Sequence, residues 1–188
     1  MEGNTTLYAL PKADIVARWQ AQTTDTFRFC FKFPATISHK AALRNCDDLV
    51  QEFFMRMSPL ESRIGQYWLQ LPATFSPRDL PALWQFLDAL PKCFTYGVEV
   101  RHPDFFAKGE AEQLFNRGLH ERGVNRVILD SRPVHAAIPH TEAIRDAQRK
   151  KPKVPVHAVV TANHPMVRFI GSDDMAQNSA LFAVWLTK

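Results

Sequence analysis

Segments typical of β-strands alternate with segments typical of α-helices along nearly the whole chain. Strands are predicted at residues 27–33, 64–71, 95–100, 124–130 and 166–170, with further candidates at residues 1–10 and 156–161. Helices are predicted between them, at residues 13–21, 41–57, 77–90, 110–122 and 174–186. Alternation at this spacing is typical of βαβ units and a parallel sheet. Two architectures are possible, an open doubly wound sheet and a closed (β/α) barrel.

Two nucleotide-binding fingerprints are absent from the sequence. Neither GxGxxG nor GxxxxGK followed by Ser or Thr occurs. Their absence weakens the hypothesis of a nucleotide-binding doubly wound fold, although an open sheet without a nucleotide remains an alternative.

Several of the predicted strands carry polar side chains that share one face, which is unusual for a parallel sheet covered by helices. In residues 27–33 (FRFCFKF) the phenylalanines share one face, and Arg28, Cys30 and Lys32 share the other. A barrel explains this pattern, because the aromatic face packs under helices and the polar face points inward. The inward polar positions late in the strands predict a charged mouth of Glu2, Lys32, Gln70, Glu99, Arg101, Asp130 and Arg168. These residues either line a functional site or form an ion-pair lattice that fills the barrel.

Composition narrows the class of protein further. Mean hydropathy is −0.23, and no apolar run approaches the roughly 20 residues of a membrane helix, so no span and no secretory leader are expected. The three cysteines, Cys30, Cys46 and Cys93, are far apart, which predicts a reducing, cytoplasmic compartment. The formal charge of +4 has one local concentration, residues 149–153, which we interpret as a solvated loop.

Five sequence blocks occur in a characteristic order: EGNTTLYALP, FCFKFPATISH, QLPATF, VEVRHPDF and VRFIG. Together they resemble the signature blocks of the YecE-like family (domain of unknown function 72), and the resemblance covers essentially all 188 residues. It implies a TIM-barrel-like parallel (β/α) barrel of the α/β class, in a family without an established activity. The family's polar positions fall on Glu2, Asn4, Thr6, Tyr8, Lys32, Pro34, His39, Gln70, Pro72, Glu99, Arg101, His102, Asp130, Arg168 and Gly171.

Relative to the family, the chain is expected to be truncated at both ends. Members often have an aromatic-rich first strand upstream of the EGNTT block and a last strand near an Asn-rich end. We therefore predict one domain, residues 1–188, forming an incomplete barrel of about six of the eight βα units. Open sheet edges expose unpaired backbone groups, so the chain is expected to be a fragment, a natural truncation or a self-associating variant.

The candidate site residues divide into two groups by the chemistry of their side chains. Proton transfer, nucleophilic or electrophilic roles are predicted for Glu99, His39, Lys32 and Asp130. Substrate-binding roles are predicted for Glu2, Asn4, Tyr8, Gln70, Arg101, His102 and Arg168. No metal site is assigned, because no HExxH or similar spacing occurs, and no cofactor is indicated.

Three functional hypotheses follow from these residues. The first is an enzyme acting on a small anionic or polyhydroxylated substrate by acid/base chemistry at the carboxyl-end mouth of the barrel. The second is a non-catalytic module that binds protein or nucleic acid through Lys150, Lys151 and Lys153, although nucleic acid is not the expected partner. The third is an inactive truncated barrel. No membrane partner is expected, and self-association is expected through the open edges.

Overall fold

Six parallel strands form one sheet in which spatial order follows chain order. The computed structural model describes residues 2–3 and 5–186, with side chains from Thr5 onward. The strands are β1 (Glu2–Gly3), β2 (Phe29–Lys32), β3 (Ile64–Gln70), β4 (Tyr96–Glu99), β5 (Asn125–Asp130) and β6 (Met166–Phe169). Each strand pairs in parallel with the next. A doubly wound sheet reverses its strand order at a switch point, so this uninterrupted order confirms the prediction of a partial (β/α) barrel.

Helices and short helical turns connect the strands. The α-helices are α1 (Thr5–Tyr8), α2 (Ala13–Gln22), α3 (Asp47–Met57), α4 (Leu80–Ala89), α5 (Glu110–Glu121), α6 (Arg132–Ala136), α7 (Glu142–Lys150) and α8 (Met175–Leu186). A π-helical turn covers Thr36–Lys40, and 3-10 turns cover Ser58–Arg63, Pro77–Asp79 and Pro103–Phe106. Among the helices described, none has the length and apolarity needed to cross a bilayer.

The ends of these helices follow local sequence signals. Ser76 and Asp79 form a reciprocal capping box at the start of the turn that leads into α4. Gly123, with φ of +62°, ends α5, because glycine enters the left-handed region without the steric cost of a Cβ atom.

Three segments differ from the sequence-based prediction. The described part of residues 1–10 forms the two-residue β1 and then α1, which brings the Thr6 hydroxyl to the Lys32 carbonyl at 2.7 Å. The predicted helix over residues 41–57 begins only at Asp47. Residues 156–161 form no strand, because β6 occupies the position beside β5. The Thr161 hydroxyl instead bonds the backbone at the start of β5.

The hydrophobic core lies between the sheet and the helices and is rich in aromatic rings. Phe29, Phe31 and Phe33 alternate along and beyond β2 on the helix-facing side and are almost fully buried. Ring centroids of Phe31 and Trp19 of α2 lie 5.6 Å apart, and those of Phe33 and Phe53 of α3 lie 5.3 Å apart. Burying each ring contributes about 1.5–3 kcal/mol. This packing fixes the aromatic face outward and turns the polar face of β2 toward the inside of the half-barrel.

Candidate functional site

The inner face of the half-barrel holds a tryptophan beside two cationic side chains. Lys32, at the end of β2, is only 2% exposed, and its Nζ lies 4.8 Å from the ring centroid of Trp68 on β3. The guanidinium carbon of Arg168, on β6, lies 5.4 Å from the same ring. Both distances are those of cation–π contacts. The curvature of the sheet therefore brings strands β2, β3 and β6 to one place.

A buried carboxylate lies next to this group at the end of β4. Glu99 is 0% exposed, and its Oε1 accepts hydrogen bonds from Arg101 Nε at 2.9 Å and Nη2 at 2.8 Å. Its Oε2 lies 3.5 Å from Arg168 Nη1. Hydrogen bonds from guanidinium groups to a carboxylate are stronger than those between neutral groups. We call Lys32, Trp68, Glu99, Arg101 and Arg168 the mouth cluster.

His39 reaches the mouth cluster from the π-helical turn that follows β2. Its Nδ1 lies 2.8 Å from the hydroxyl of the buried Ser38, which also contacts the Pro34 carbonyl at 3.3 Å. Partial burial of the imidazole and the nearby charge of Arg101 lower the pKa of His39. The ring is therefore predominantly neutral at neutral pH, with one nitrogen oriented by Ser38.

Gln70 and His102 lie at the border of the mouth cluster. Gln70 is buried at the end of β3, in register with Glu99 on β4. His102 follows β4 and accepts a hydrogen bond from the backbone N–H of Asp104 at 3.3 Å, so that it caps the turn Pro103–Phe106. Gln70 therefore lies beside the candidate catalytic carboxylate. The Nδ1 atom of His102 already has a structural role as a cap.

Asp130 lies on the opposite face of the sheet from the mouth cluster. On β5 it alternates with Asn125, whose side chain bonds Gln66 on the inner face. Asp130 is fully buried against α8, where its carboxylate accepts from Trp185 Nε1 at 2.9 Å and Arg132 Nη2 at 2.7 Å. Burial raises its pKa, but the hydrogen bonds from Arg132 and Trp185 outweigh burial and lower it overall. The expectation that Asp130 points into the mouth is therefore corrected by the phase of its strand.

The first block of the sequence contributes less to the described site than expected. Tyr8 ends α1 and is 84% exposed, because a helical turn replaces the strand on which it was predicted to face inward. Asn4 and the side chain of Glu2 lie outside the described residues, so their predicted roles stay predictions.

Sequence reasoning missed the central position of Trp68. Its signal is the alternation within β3, where Gln66, Trp68 and Gln70 share the inner face. An indole among two amides on an inward face indicates a polar interior rather than a packed one, and this pattern could have added Trp68 to the candidate residues.

The described residues also bear on a metal site and on a ligand cavity. Within residues 2–3 and 5–186, no group of three or more His, Cys, Asp or Glu side chains is arranged to hold a metal ion. A cavity of about 1,170 Å³ lies between α3 and α4 on the outer side of the sheet, lined by residues that include Val50, Phe54, Arg78 and Phe86. The mouth cluster does not line this cavity, so the cavity and the clustered charged groups are at different places.

Fold and site together define a TIM-barrel-like α/β protein with a charged group at the carboxyl ends of its strands. The family model described as "Protein of unknown function DUF72" matches residues 1–188, and the chain belongs to this family. It is 79% identical over 188 residues to the UPF0759 protein YecE of Escherichia coli K12, covering 100% of the chain and 69% of that protein. The YecE protein of Escherichia coli O157:H7 matches equally, with 79% identity over the same 188 residues.

Solved structures of the same family have a similar fold. A DUF72 family protein from Thermotoga maritima MSB8 superposes with a TM-score of 0.68 at 18% identity, over 97% of this chain and 70% of that one. One from Enterococcus faecalis V583 gives a TM-score of 0.66 at 21% identity, over 93% of this chain. The match spans 61% of the length of the Enterococcus protein. The predicted family and the predicted incomplete barrel fold are confirmed.

Proposed function

We propose that the mouth cluster binds a small anionic or polyhydroxylated molecule and performs acid/base chemistry on it. The observation that carries this proposal is the convergence of side chains from β2, β3, β4 and β6 around one indole ring and one carboxylate. Barrel enzymes place their reacting groups at this end of the strands. Hydrolysis, isomerisation and lyase chemistry all fit such a site.

The positive side chains support recognition of an anion. Among the described side chains of the mouth cluster, Lys32, Arg101 and Arg168 are cationic and Glu99 alone is anionic. All three cations are mostly withdrawn from water, which strengthens their interaction with a bound negative group. Guanidinium groups also suit carboxylates and phosphates, because they offer two parallel N–H donors.

Two titratable groups of different character support proton transfer. Glu99 lies between the guanidinium groups of Arg101 and Arg168 and is our candidate base. His39, neutral beside Arg101, is our candidate partner for donating or accepting the second proton. Asp130 has no part in this proposal, because it faces α8.

A thermal-unfolding experiment tests the binding step. The probes are inorganic phosphate, citrate and gluconate, with the uncharged polyol sorbitol for comparison. We expect the anions to raise the melting temperature of the wild-type chain and not that of Arg168→Met. The matched control is Arg122→Met, because Arg122 also pairs with a carboxylate, that of Asp88, and lies 4.8 Å over a tryptophan ring, but on the outer surface. Equal shifts for wild type and Arg168→Met would contradict the proposal.

The alternative of a nucleic-acid-binding module has weaker support. On α7, Asp146 forms ion pairs with Arg149 and with Lys150, each at 2.6 Å, so part of the basic run is neutralised. Steeply salt-dependent binding of RNA or DNA, lost when Lys150, Lys151 and Lys153 are changed to Gln but kept in Lys32→Met, would favour this alternative.

Self-association through the open edge of β6 is a further proposal. Of the described strands, β6 pairs with β5 alone, and Met175 and Leu186 of the adjoining α8 are 72% and 75% exposed. Exposed strand edges and apolar helices favour association. Sedimentation velocity over a range of concentrations should show species larger than a monomer. A single monomeric species at all concentrations would contradict the proposal.

We also propose that the protein works in the cytoplasm. Cys46 and Cys93 form no disulfide among the described residues, which favours a reducing compartment. Localisation of a tagged full-length relative by fractionation tests this.

A further inference from the structure

Trp68 has a buried hydrogen-bond donor without an acceptor. Its side chain is 0% exposed, and its indole Nε1 finds no hydrogen-bond partner among the described residues. By contrast, the Nε1 of Trp185 donates to Asp130 at 2.9 Å. Buried donors are almost always paired, because an unpaired one loses its water without compensation. The orphaned N–H of Trp68 therefore needs an explanation.

The position of this donor connects it with the candidate site. The same indole ring contacts the ammonium of Lys32 at 4.8 Å and the guanidinium of Arg168 at 5.4 Å. A negatively charged group held by these two cations would lie beside the ring that carries the orphaned N–H. A donor without an acceptor and two cations all favour a ligand whose atoms are acceptors only.

We infer that the indole N–H of Trp68 is a ligand-binding donor that hydrogen-bonds one oxygen of a bound oxyanion, either a carboxylate or a phosphate. The inference rests on the proposed anion-binding function of the mouth cluster. It adds an indole N–H donor to the ammonium and guanidinium groups that would bind the anion. An oxyanion has several oxygens, so that one accepts from Trp68 while another faces Lys32 or Arg168. A neutral polyol, which must also place its own hydroxyl protons, fits this arrangement less well.

Binding requires a small rearrangement of the side chains around the indole. The indole nitrogen is closed off from solvent, so an oxygen reaches it only when a neighbouring side chain shifts. The flexible four-carbon stem of Lys32 allows such a shift without moving β2. The oxyanion then keeps the ammonium as a partner and supplies the missing acceptor.

Two measurements on the same titration test the inference, with citrate and inorganic phosphate as probes. The first follows the indole ¹H–¹⁵N resonance of Trp68, identified by its loss in Trp68→Phe. We expect this resonance to shift on addition of the anion. The second compares affinities by calorimetry. Trp68→Phe keeps an aromatic ring for the cations but lacks the N–H, and should bind about tenfold more weakly.

The matched control is Trp84→Phe, because Trp84 lies under Arg122 at 4.8 Å on the outer surface. It should bind the anions as the wild type does. If the wild type binds anions while the Trp68 resonance stays fixed and Trp68→Phe binds equally well, the role of Trp68 is wrong and the proposed function stands. If the wild type binds neither anion, both are wrong. The resonance shift is measured in the wild type, so this measurement needs Trp68→Phe only to identify the resonance.

Discussion

Two buried groups of charged side chains lie on opposite faces of the sheet, and they differ in how completely their members are paired. On the outer face, Arg126 of β5 donates to Glu112 Oε1 at 2.9 Å, to Asn116 Oδ1 at 2.7 Å and to the Phe105 carbonyl at 2.8 Å. Glu112 also accepts from His157 Nδ1 at 2.6 Å. We call Arg126, Glu112, Asn116 and His157 the outer cluster. Its one arginine is matched by one carboxylate.

The mouth cluster is built differently. Its described side chains set one carboxylate against three cations, and the indole N–H of Trp68 has no acceptor among them. Burial of charge alone therefore does not distinguish a functional site from a structural one, because both groups are buried. The two clusters differ at one donor. The outer cluster ties α5 and the segment around His157 to the sheet through paired groups, whereas the indole N–H of Trp68 in the mouth cluster has no acceptor among the described residues.

The largest effect is expected when the outer cluster loses its carboxylate. Glu112→Ala leaves the guanidinium of Arg126 buried without its counter-charge, which should cost about 3–5 kcal/mol of unfolding free energy. Burial raises the pKa of Glu112, but the hydrogen bonds from His157 and Lys108 N and the charge of Arg126 outweigh burial and lower it. Urea denaturation measures the loss.

A matched control for this change is Glu110→Ala, an exposed position on the same helix. It should change stability by less than about 0.5 kcal/mol. A loss at Glu112→Ala as small as that of the control would show that the outer cluster is not a structural element, and the comparison with the mouth cluster would fail.

An intermediate effect, and the sharpest contrast, is expected from the isosteric pair Glu99→Gln and Glu112→Gln. Without its carboxylate the mouth cluster brings cations together, and we expect a loss of about 1–3 kcal/mol in anion-free buffer. Inorganic phosphate should restore most of this stability in Glu99→Gln, because the added anion replaces the missing negative charge. In Glu112→Gln phosphate should add no more stability than it adds to the wild type, because the mouth cluster is unchanged and the guanidinium of Arg126 stays buried. Equal responses of the two variants to phosphate would contradict the distinction.

Much of this architecture could be predicted from the sequence, because it depends on local periodicity. The alternation in residues 27–33 separates Phe29, Phe31 and Phe33 from Lys32, and the structure confirms that separation. The order of the strands follows from the βαβ pattern. Lys32 and Glu99 lie at the carboxyl ends of parallel strands in one sheet. Both side chains are therefore expected at the same edge of the sheet.

The parts that could not be predicted depend on long-range geometry. Residues 125–130 are all buried, so the hydrophobic pattern does not reveal which face Asp130 occupies. The contact of Arg168 with Trp68 depends on the curvature of the sheet between β3 and β6. Before α3, the non-glycine residues Ala42, Leu43 and Asn45 have positive φ angles. No propensity predicts such a run, and it follows directly on the turn that carries His39.

The smallest effect is expected from the pH response of His39. Its pKa in the folded chain lies below its ordinary value of 6.5, so the unfolded chain takes up the proton first as the pH falls. Above pH 6.5 neither state is protonated at His39, and the full stability is present. Stability then decreases between 6.5 and the folded pKa, and this contribution does not change further below it. The change should be small, because the residue is exposed.

Unfolding of wild type and His39→Gln between about pH 5 and 8 isolates this contribution, and the His39 ring titration gives its pKa directly by NMR. Arg101→Met should move that pKa upward, because the charge of Arg101 contributes to lowering it. Phosphate bound at the mouth cluster should move it upward too, because a bound anion offsets the same charge. Glu112→Ala, in the outer cluster, should leave the pKa of His39 unchanged. A His39 titration that responds to neither Arg101→Met nor phosphate would separate His39 from the mouth cluster and remove it from the proposed proton transfer.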